Sequence, residues 1–263
     1  MIFDTHAHYD DPAFDRDRDE LLRGLKERGI GSVVDVGAEF DTLPVILSLT
    51  EQYPFVYGAL GVHPSEVSGM NEKKLEWIQK TCEENRADKG GKIVAVGEIG
   101  LDYHYPDTDK KLQKIWFEAE IETARSLSMP MIIHSRDAAA DTMDIMRSLH
   151  TEEIGGIVHC YSYAVEQAKT YLSMGFCFGI GGVLTYKNAK KLSEVVTFLP
   201  MEAIVLETDA PYLSPEPWRG KRNDSGNLPE VVKKISEIKG IPEEEVIRIT
   251  RKNAYRVYRI PEE

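Results

Sequence analysis

Ile2-Phe3-Asp4-Thr5-His6-Ala7-His8 opens the chain with a short strand-like run that ends on two histidines. In an extended backbone successive side chains alternate faces, so His6 and His8 project to the same side. The same ending recurs along the chain. His63 closes the run 55–62, Glu98 closes 93–97, His134 closes 131–133, His159 closes 157–158, and Asp209 follows 204–206. Five of the seven histidines, with one Glu and one Asp, thus stand where apolar runs stop. A core built only for stability would place Val, Ile and Leu there. Metal-ligand side chains repeated at strand C-termini predict a barrel enzyme that holds metal at one rim.

Strand-like runs fall at 2–4, 32–37, 55–62, 93–97, 131–133, 156–158, 176–181 and 204–206. Helix-like stretches fall between them, at 15–28, 41–52, 72–86, 109–127, 138–149, 164–174 and 187–198. This alternation reads as parallel βα units. Eight units predict an α/β fold of the (β/α)8 TIM-barrel type, ahead of an open doubly wound sheet. Two extra helices, 228–239 and 242–258, follow; Pro242 and the acidic run Glu243-Glu244-Glu245 suit the start of the second. A polar turn is expected at 88–91. The irregular stretch 210–227, rich in Pro and Gly, is long enough at the catalytic end of a barrel to be functional.

The 263 residues suit one domain spanning 1–263, large enough to fold without disulfides or structural zinc. A net charge of −12 argues against broad adhesion to duplex DNA or anionic membranes. The cysteines, Cys82, Cys160 and Cys177, are odd in number and form no paired motif, so reduced thiols in a cytoplasmic protein are expected. Cys160, next to His159 in a strand, should point to the opposite face as a buried thiol. Only Met1-Ile2-Phe3 precede Asp4, so no signal peptide is expected, and no apolar run approaches a membrane span.

Two imidazoles converging at His6 and His8 make half a metal site. Glu98 has apolar neighbours, so its charge needs a metal or an Arg nearby; its two oxygens could bridge two cations. His134 and His159 lie on consecutive strands and could pinch a second cation. Glu207 and Asp209 share a face: Asp209, nearer the rim, is assigned to ligation and to taking a proton from the attacking water, and Glu207 can orient a ligand from behind. Arg219-Gly220-Lys221-Arg222 is a basic cluster in the loop after the eighth strand, suited to phosphates, with Tyr212 and Trp218 able to stack on bases. Arg136 is a further phosphate candidate, or else an internal partner of Asp137 or Asp141. Tyr103 joins the candidate substrate contacts.

The segments 4–8, Gly61-Val62-His63-Pro64, Gly97-Glu98-Ile99-Gly100-Leu101-Asp102-Tyr103, Ile133-His134-Ser135-Arg136, Val158-His159-Cys160-Tyr161-Ser162, Glu207-Thr208-Asp209-Ala210-Pro211-Tyr212 and 219–223 together resemble the TatD family of metal-dependent deoxyribonucleases, within the amidohydrolase-type barrels. The likeness covers nearly the whole chain in the family's order. It implies a distorted TIM barrel with two divalent metal ions per subunit. His6, His8 and Asp209 would hold one, His134 and His159 the other, with Glu98 between them. Mg²⁺, Mn²⁺ and Zn²⁺ are the candidates; the family is described as magnesium-dependent, whereas four imidazoles favour softer cations. The likeness implies DNA phosphodiester hydrolysis, 3′ to 5′ from an end, with His63 touching substrate phosphate or the attacking water. Asn223 is followed by Asp224-Ser225 where the family commonly has Glu-Pro, so the loop should have a local geometry of its own. A monomer acting on DNA, away from membranes, is expected. The alternatives are a dinuclear hydrolase of small phosphoesters, amides or esters, including an aminoacyl-tRNA ester, and a non-catalytic metal-binding protein.

Overall fold

A computed structural model describes every residue of the chain except Lys89 and Glu263. Among those residues eight parallel strands pair in chain order: β1 (Ile2–Ala7), β2 (Ile30–Val36), β3 (Val56–Leu60), β4 (Ile93–Asp102), β5 (Met131–Arg136), β6 (Gly156–Val158), β7 (Cys177–Ile180) and β8 (Ile204–Leu206). Helices α1 (Arg18–Gly24), α2 (Leu43–Gln52), α3 (Glu72–Ala87), α4 (Lys110–Leu127), α5 (Ala139–Ser148), α6 (Val165–Ser173) and α7 (Lys190–Phe198) alternate with them, and α8 (Leu228–Lys239) and α9 (Glu243–Tyr258) follow. This is the expected (β/α)8 barrel, nearly closed. The seam between β1 and β8 is made by single contacts instead of a ladder: the Ala7–Ala210 bridge, His8 N–H to the Ala210 carbonyl at 2.7 Å, and Asp209 N–H to the His6 carbonyl at 2.9 Å. Below them Thr208 Oγ1 donates to Asp4 Oδ2 at 2.7 Å and Thr5 Oγ1 to the Leu206 carbonyl at 3.0 Å. No described helix is long and apolar enough to cross a membrane.

The barrel interior is layered. Phe3, Val34, Ala59, Ala95, Ile132, Ile157 and Val205 pack in one buried cluster, capped from the strand N-termini by Tyr255 and Tyr258 of α9. Tyr258 reaches far enough in to donate to the Thr5 carbonyl at 2.7 Å. Side chains repeat a face every second residue, so one step up from Ile132, Ile157 and Val205 come His134, His159 and Glu207. The polar cluster is therefore the next layer of the same interior.

Several strands and one helix differ from the sequence reading. β1 runs on to Ala7 and β5 to Arg136, so His6 and His134 lie inside strands. β4 runs ten residues to Asp102 instead of stopping at Gly97. Its register against β5 slips between Val96 and Ile99, and β1 slips against β2 between Asp4 and Ala7. Each bulge bends the strand and re-aims a side chain, here Glu98 and His6. α1 is shorter than the predicted 15–28, because residues 25–29 turn back to the sheet through Gly29 at φ +84°. Other ends differ by a few residues. The predicted turn at 88–91 contains Lys89 and lies partly outside the described residues.

Helix α4 fastens the loops that carry the site. Gln113 Nε2 donates to the Pro64 carbonyl at 2.9 Å, its Oε1 accepts from Asp102 N–H at 2.9 Å, and Glu120 Oε1 accepts from Val62 N–H at 2.9 Å. His63 is thus held from both sides. Glu120 is 1% exposed and forms no ion pair among the described residues. Burial pushes its carboxyl well above the ordinary value of 4.5, so the folded chain binds a proton there more tightly than the unfolded chain. Stability from this group must fall as pH rises above about 5. Glu120→Gln keeps the acceptor without the charge. Its urea midpoint is expected to decline less than wild type's between about pH 5 and pH 8; parallel declines would show that Glu120 is not held neutral.

Candidate metal centre

The upper layer of the barrel converges on Glu98, itself 2% exposed. Its Oε1 lies 2.6 Å from His134 Nδ1, 3.0 Å from His159 Nε2 and 3.7 Å from His63 Nε2. Its Oε2 lies 3.4 Å from His6 Nε2 and 3.7 Å from His8 Nε2. Asp209 Oδ1 meets the second pair from the other side, 3.3 Å from His8 and 3.7 Å from His6. One carboxylate thus faces two sets of donors, one with each oxygen. All six residues that the sequence reading put in a metal site, and His63 beside them, come together.

The rings are held from behind. His8 Nδ1 lies 2.7 Å from the Val36 carbonyl, which must receive its proton, so Nε2 is the nitrogen that faces the centre and would bind a cation on losing its own proton. His63 Nδ1 lies 2.7 Å from Ser65 Oγ. His159 Nδ1 faces Glu207 Oε1 at 3.6 Å, while that oxygen accepts the Cys160 N–H at 2.6 Å. His134 is the exception: it turns Nδ1 inward and sets Nε2 3.1 Å from Asp102 Oδ2. The reading of Glu207 as an orienting acid fits this geometry, with His159 as the ring it backs. Asp102 had no assigned role, although it stood in the quoted motif. The signal was available: Glu98, Gly100 and Asp102 alternate onto one face. Gly100 sits opposite His134 in the β4–β5 register, where any Cβ would collide with the His134 carbonyl, so β4 and β5 approach closely at this level.

The electrostatics follow from packing acids and imidazoles out of water. Burial opposes charge on Glu98, but the His159, His63 and His134 imidazoles outweigh it and hold the carboxyl well below its usual range. Burial likewise opposes charge on Asp209, and the His8 hydrogen bond, with His159, His8 and His6 nearby, depresses it. On His8 burial works downward, but Asp209, Glu98 and Asp10 lift it to about 10. His63 goes the other way, to about 3, through burial and the neighbouring His134.

The donor set fits divalent cations. Ligand atoms of His6, His8 and Asp209, of His6, Glu98 and His159, and of His63, Asp102 and His134 each lie within 4.8 Å of one another. His6 Nε2 and His8 Nε2 approach to 3.1 Å, a spacing natural for two nitrogens sharing an ion at bonds of about 2 Å. His6 Nδ1 and His159 Nδ1 are buried without a full hydrogen bond. A cavity of about 270 Å³ opens above the cluster, lined by the acids Asp10, Asp11, Glu39 and Glu66 and by Tyr212.

The other predicted substrate contacts divide. Arg136 is exposed and makes no ion pair with Asp137 or Asp141; those acids engage His104 and Lys114. Arg219 lies over the Tyr186 ring at 4.2 Å and Lys221 over Trp218 at 5.0 Å, neither with an acidic partner among the described residues. Arg222 is occupied: it grips Asp17 at 2.8 and 2.5 Å and lies over Phe14. Tyr212, 54% exposed, donates to Asp11 at 2.9 Å, and Tyr103 donates to Asp141 at 2.8 Å. Cys160 departs from expectation. It is half-buried and lines a cavity, because β6 ends at Val158 and the chain turns through φ +44° at Cys160, so strand alternation no longer applies. The distinct loop after Asn223 is stapled by Arg28 to Asp224 at 2.7 Å.

The sequence profile described as TatD related DNase matches residues 3–259. An uncharacterized metal-dependent hydrolase of Bacillus subtilis, YabD, is 38% identical over 99% of this chain and 100% of its own length. The crystal structure of YjjV, a TatD homolog from Escherichia coli, superposes with a TM-score of 0.92 at 29% identity over 99% of this chain and 98% of that one. A TatD family hydrolase of Entamoeba histolytica shares the fold at a TM-score of 0.88 and 21% identity, over 99% of each chain. With strand-end acids and imidazoles meeting at one rim and a profile match over nearly its full length, the chain belongs to the TatD family of metal-dependent hydrolases.

Proposed function

We propose that this hydrolase cleaves phosphodiester bonds of DNA, at strand ends or in single strands, at a centre of two divalent cations. The observation that carries the reading is the division of Glu98, one oxygen toward His134 and His159 and the other toward His6 and His8. His6, His8 and Asp209 would hold one ion and His134 and His159 the other, with Glu98 across both. Bound cations of this kind acidify water and offset charge on a phosphate oxygen. Mn²⁺ and Zn²⁺ suit the imidazoles, and Mg²⁺ suits the carboxylates. We assign to Asp209 the acceptance of the water's proton. His63, kept neutral, can donate or accept a hydrogen bond at the phosphate without adding charge. Asp102 and Glu207 position His134 and His159 from behind.

The distribution of charge around the mouth supports a polyanion that approaches from one side. Asp10, Asp11, Glu39 and Glu66 crowd the loops after β1, β2 and β3. Arg136 at the end of β5, Lys187 after β7, Lys191 at the start of α7, and Arg219 and Lys221 after β8 stand exposed, without ion pairs among the described residues. An unbroken strand would have to cross the acidic arc, whereas a strand end stops short of it. Three free cysteines suit a reducing, cytoplasmic setting.

Chelator is expected to abolish cleavage of an end-labelled oligonucleotide, with Mn²⁺ or Mg²⁺ restoring it. His134→Ala should lower the rate by on the order of 100-fold or more without loss of fold. Cleavage of p-nitrophenyl acetate or of dipeptides but of no DNA would favour the small-substrate hydrolase instead. Replacing Arg219 and Lys221 together by Ala should raise KM and flatten the salt dependence by roughly 1.4 in log–log slope, at about 0.7 per phosphate contact on single strands. Arg222→Ala should lower the melting temperature and leave that slope alone, since its partner is Asp17; the opposite pattern would exchange their roles.

A further inference from the structure

A second cavity of about 190 Å³ lies between the loops that follow β6, β7 and β8. Tyr161, Val183, Leu192 and Leu213 give it mostly apolar walls. Asp209 lines both this cavity and the one above the metal-ligand cluster, so an occupant of the second sits directly beside the reacting position. Lys191, at the start of α7, lines the cavity, is exposed, and has no acidic partner among the described residues. Its two carboxylates, Glu207 and Asp209, face the metal-ligand cluster, and the space itself has no role in the hydrolysis.

We propose that the cavity is the subsite for one nucleobase, that of the nucleotide attached to the scissile phosphate; the assignment rests on the phosphodiesterase reading. Three properties of the space select this occupant. Its walls offer the faces of a flat ring apolar contact and exclude water from it, which any of the bases can exploit. Its continuity with the cluster through Asp209 suits a group tethered a few bonds from the bond being cut. The unpaired Lys191 ammonium complements a phosphate, not an uncharged acyl or alkyl group. Binding energy gathered from the base, remote from the reacting atoms, then helps hold the phosphodiester in place.

The test uses two chromogenic diesters with the same leaving group: thymidine 5′-(p-nitrophenyl phosphate), which carries a base, and methyl p-nitrophenyl phosphate, which does not. With Mn²⁺ present, wild type should prefer the thymidine ester by about tenfold in kcat/KM, the order that one stacked base supplies. Val183→Trp, which fills the cavity from the β7 loop, should erase that preference through KM and leave the methyl ester unchanged. It should also weaken binding of thymidine 5′-monophosphate by about tenfold in a titration without turnover. Ala189→Trp fills the cavity from another wall and replaces Val183→Trp if the latter does not fold. A folded variant that keeps the wild-type preference and nucleotide affinity overturns the base subsite while leaving the phosphodiesterase reading intact. If wild type hydrolyses neither diester nor DNA, the phosphodiesterase reading falls and the subsite falls with it.

Discussion

The constraint on which the rest depends is a buried anion at the centre of the barrel mouth. Glu98 is out of water, and an isolated carboxylate in such a place costs several kcal/mol or more. What makes it tolerable is the ring of imidazoles on β1 and β5 and just past β6, and the His63 that follows β3. Removing one partner leaves the others with uncompensated charge, so the cluster is a unit that only the assembled barrel can supply. The same reasoning explains its location. The apolar layer from Phe3 to Val205 excludes water from below, α9 seals that layer, and the next set of inward positions inherits a dry floor and an open top.

Closure of the barrel and assembly of the site are one event. The contacts that bring β8 back to β1 run through the backbones of His6, His8 and Asp209, residues whose side chains meet at the centre. Helix α4 adds the third element: Gln113 and Glu120 grip the backbone on either side of His63 and at Asp102. A displacement of the β1–β8 seam or of α4 therefore reaches the clustered imidazoles and acids directly, through hydrogen bonds on the same or adjacent residues.

Much of this was legible in the sequence. Alternation of apolar runs and amphipathic stretches carries the strand and helix order, and period-two patterning carries the shared face of His6 and His8. The candidate metal-ligand residues were legible because imidazoles and acids at strand ends have no packing reason to be there. What escaped depends on geometry that local pattern does not encode. Glu98 looked like the residue after a strand, but a bulge lets β4 continue to Asp102 and brings that acid behind His134. Arg222 looked like part of a phosphate-binding trio until the fold brought Asp17 to it across two hundred positions. Cys160 followed an alternation rule that stops where its strand stops. The apolar cavity beside Asp209 draws its walls from three separate loops, none of which signals it alone.

If Glu98 joins two ion sites, the number of ions bound per chain must depend on its carboxylate. Mn²⁺ titrated into metal-free protein and followed by electron paramagnetic resonance should saturate at two ions per chain. Glu98→Gln, with its fold verified by circular dichroism, should keep at most one ion at comparable affinity, because the neutral amide cannot offer an anionic oxygen to both donor sets. If Glu98→Gln still takes up two ions with wild-type affinities, the carboxylate is not the element that joins the sites, and the account built on it is wrong.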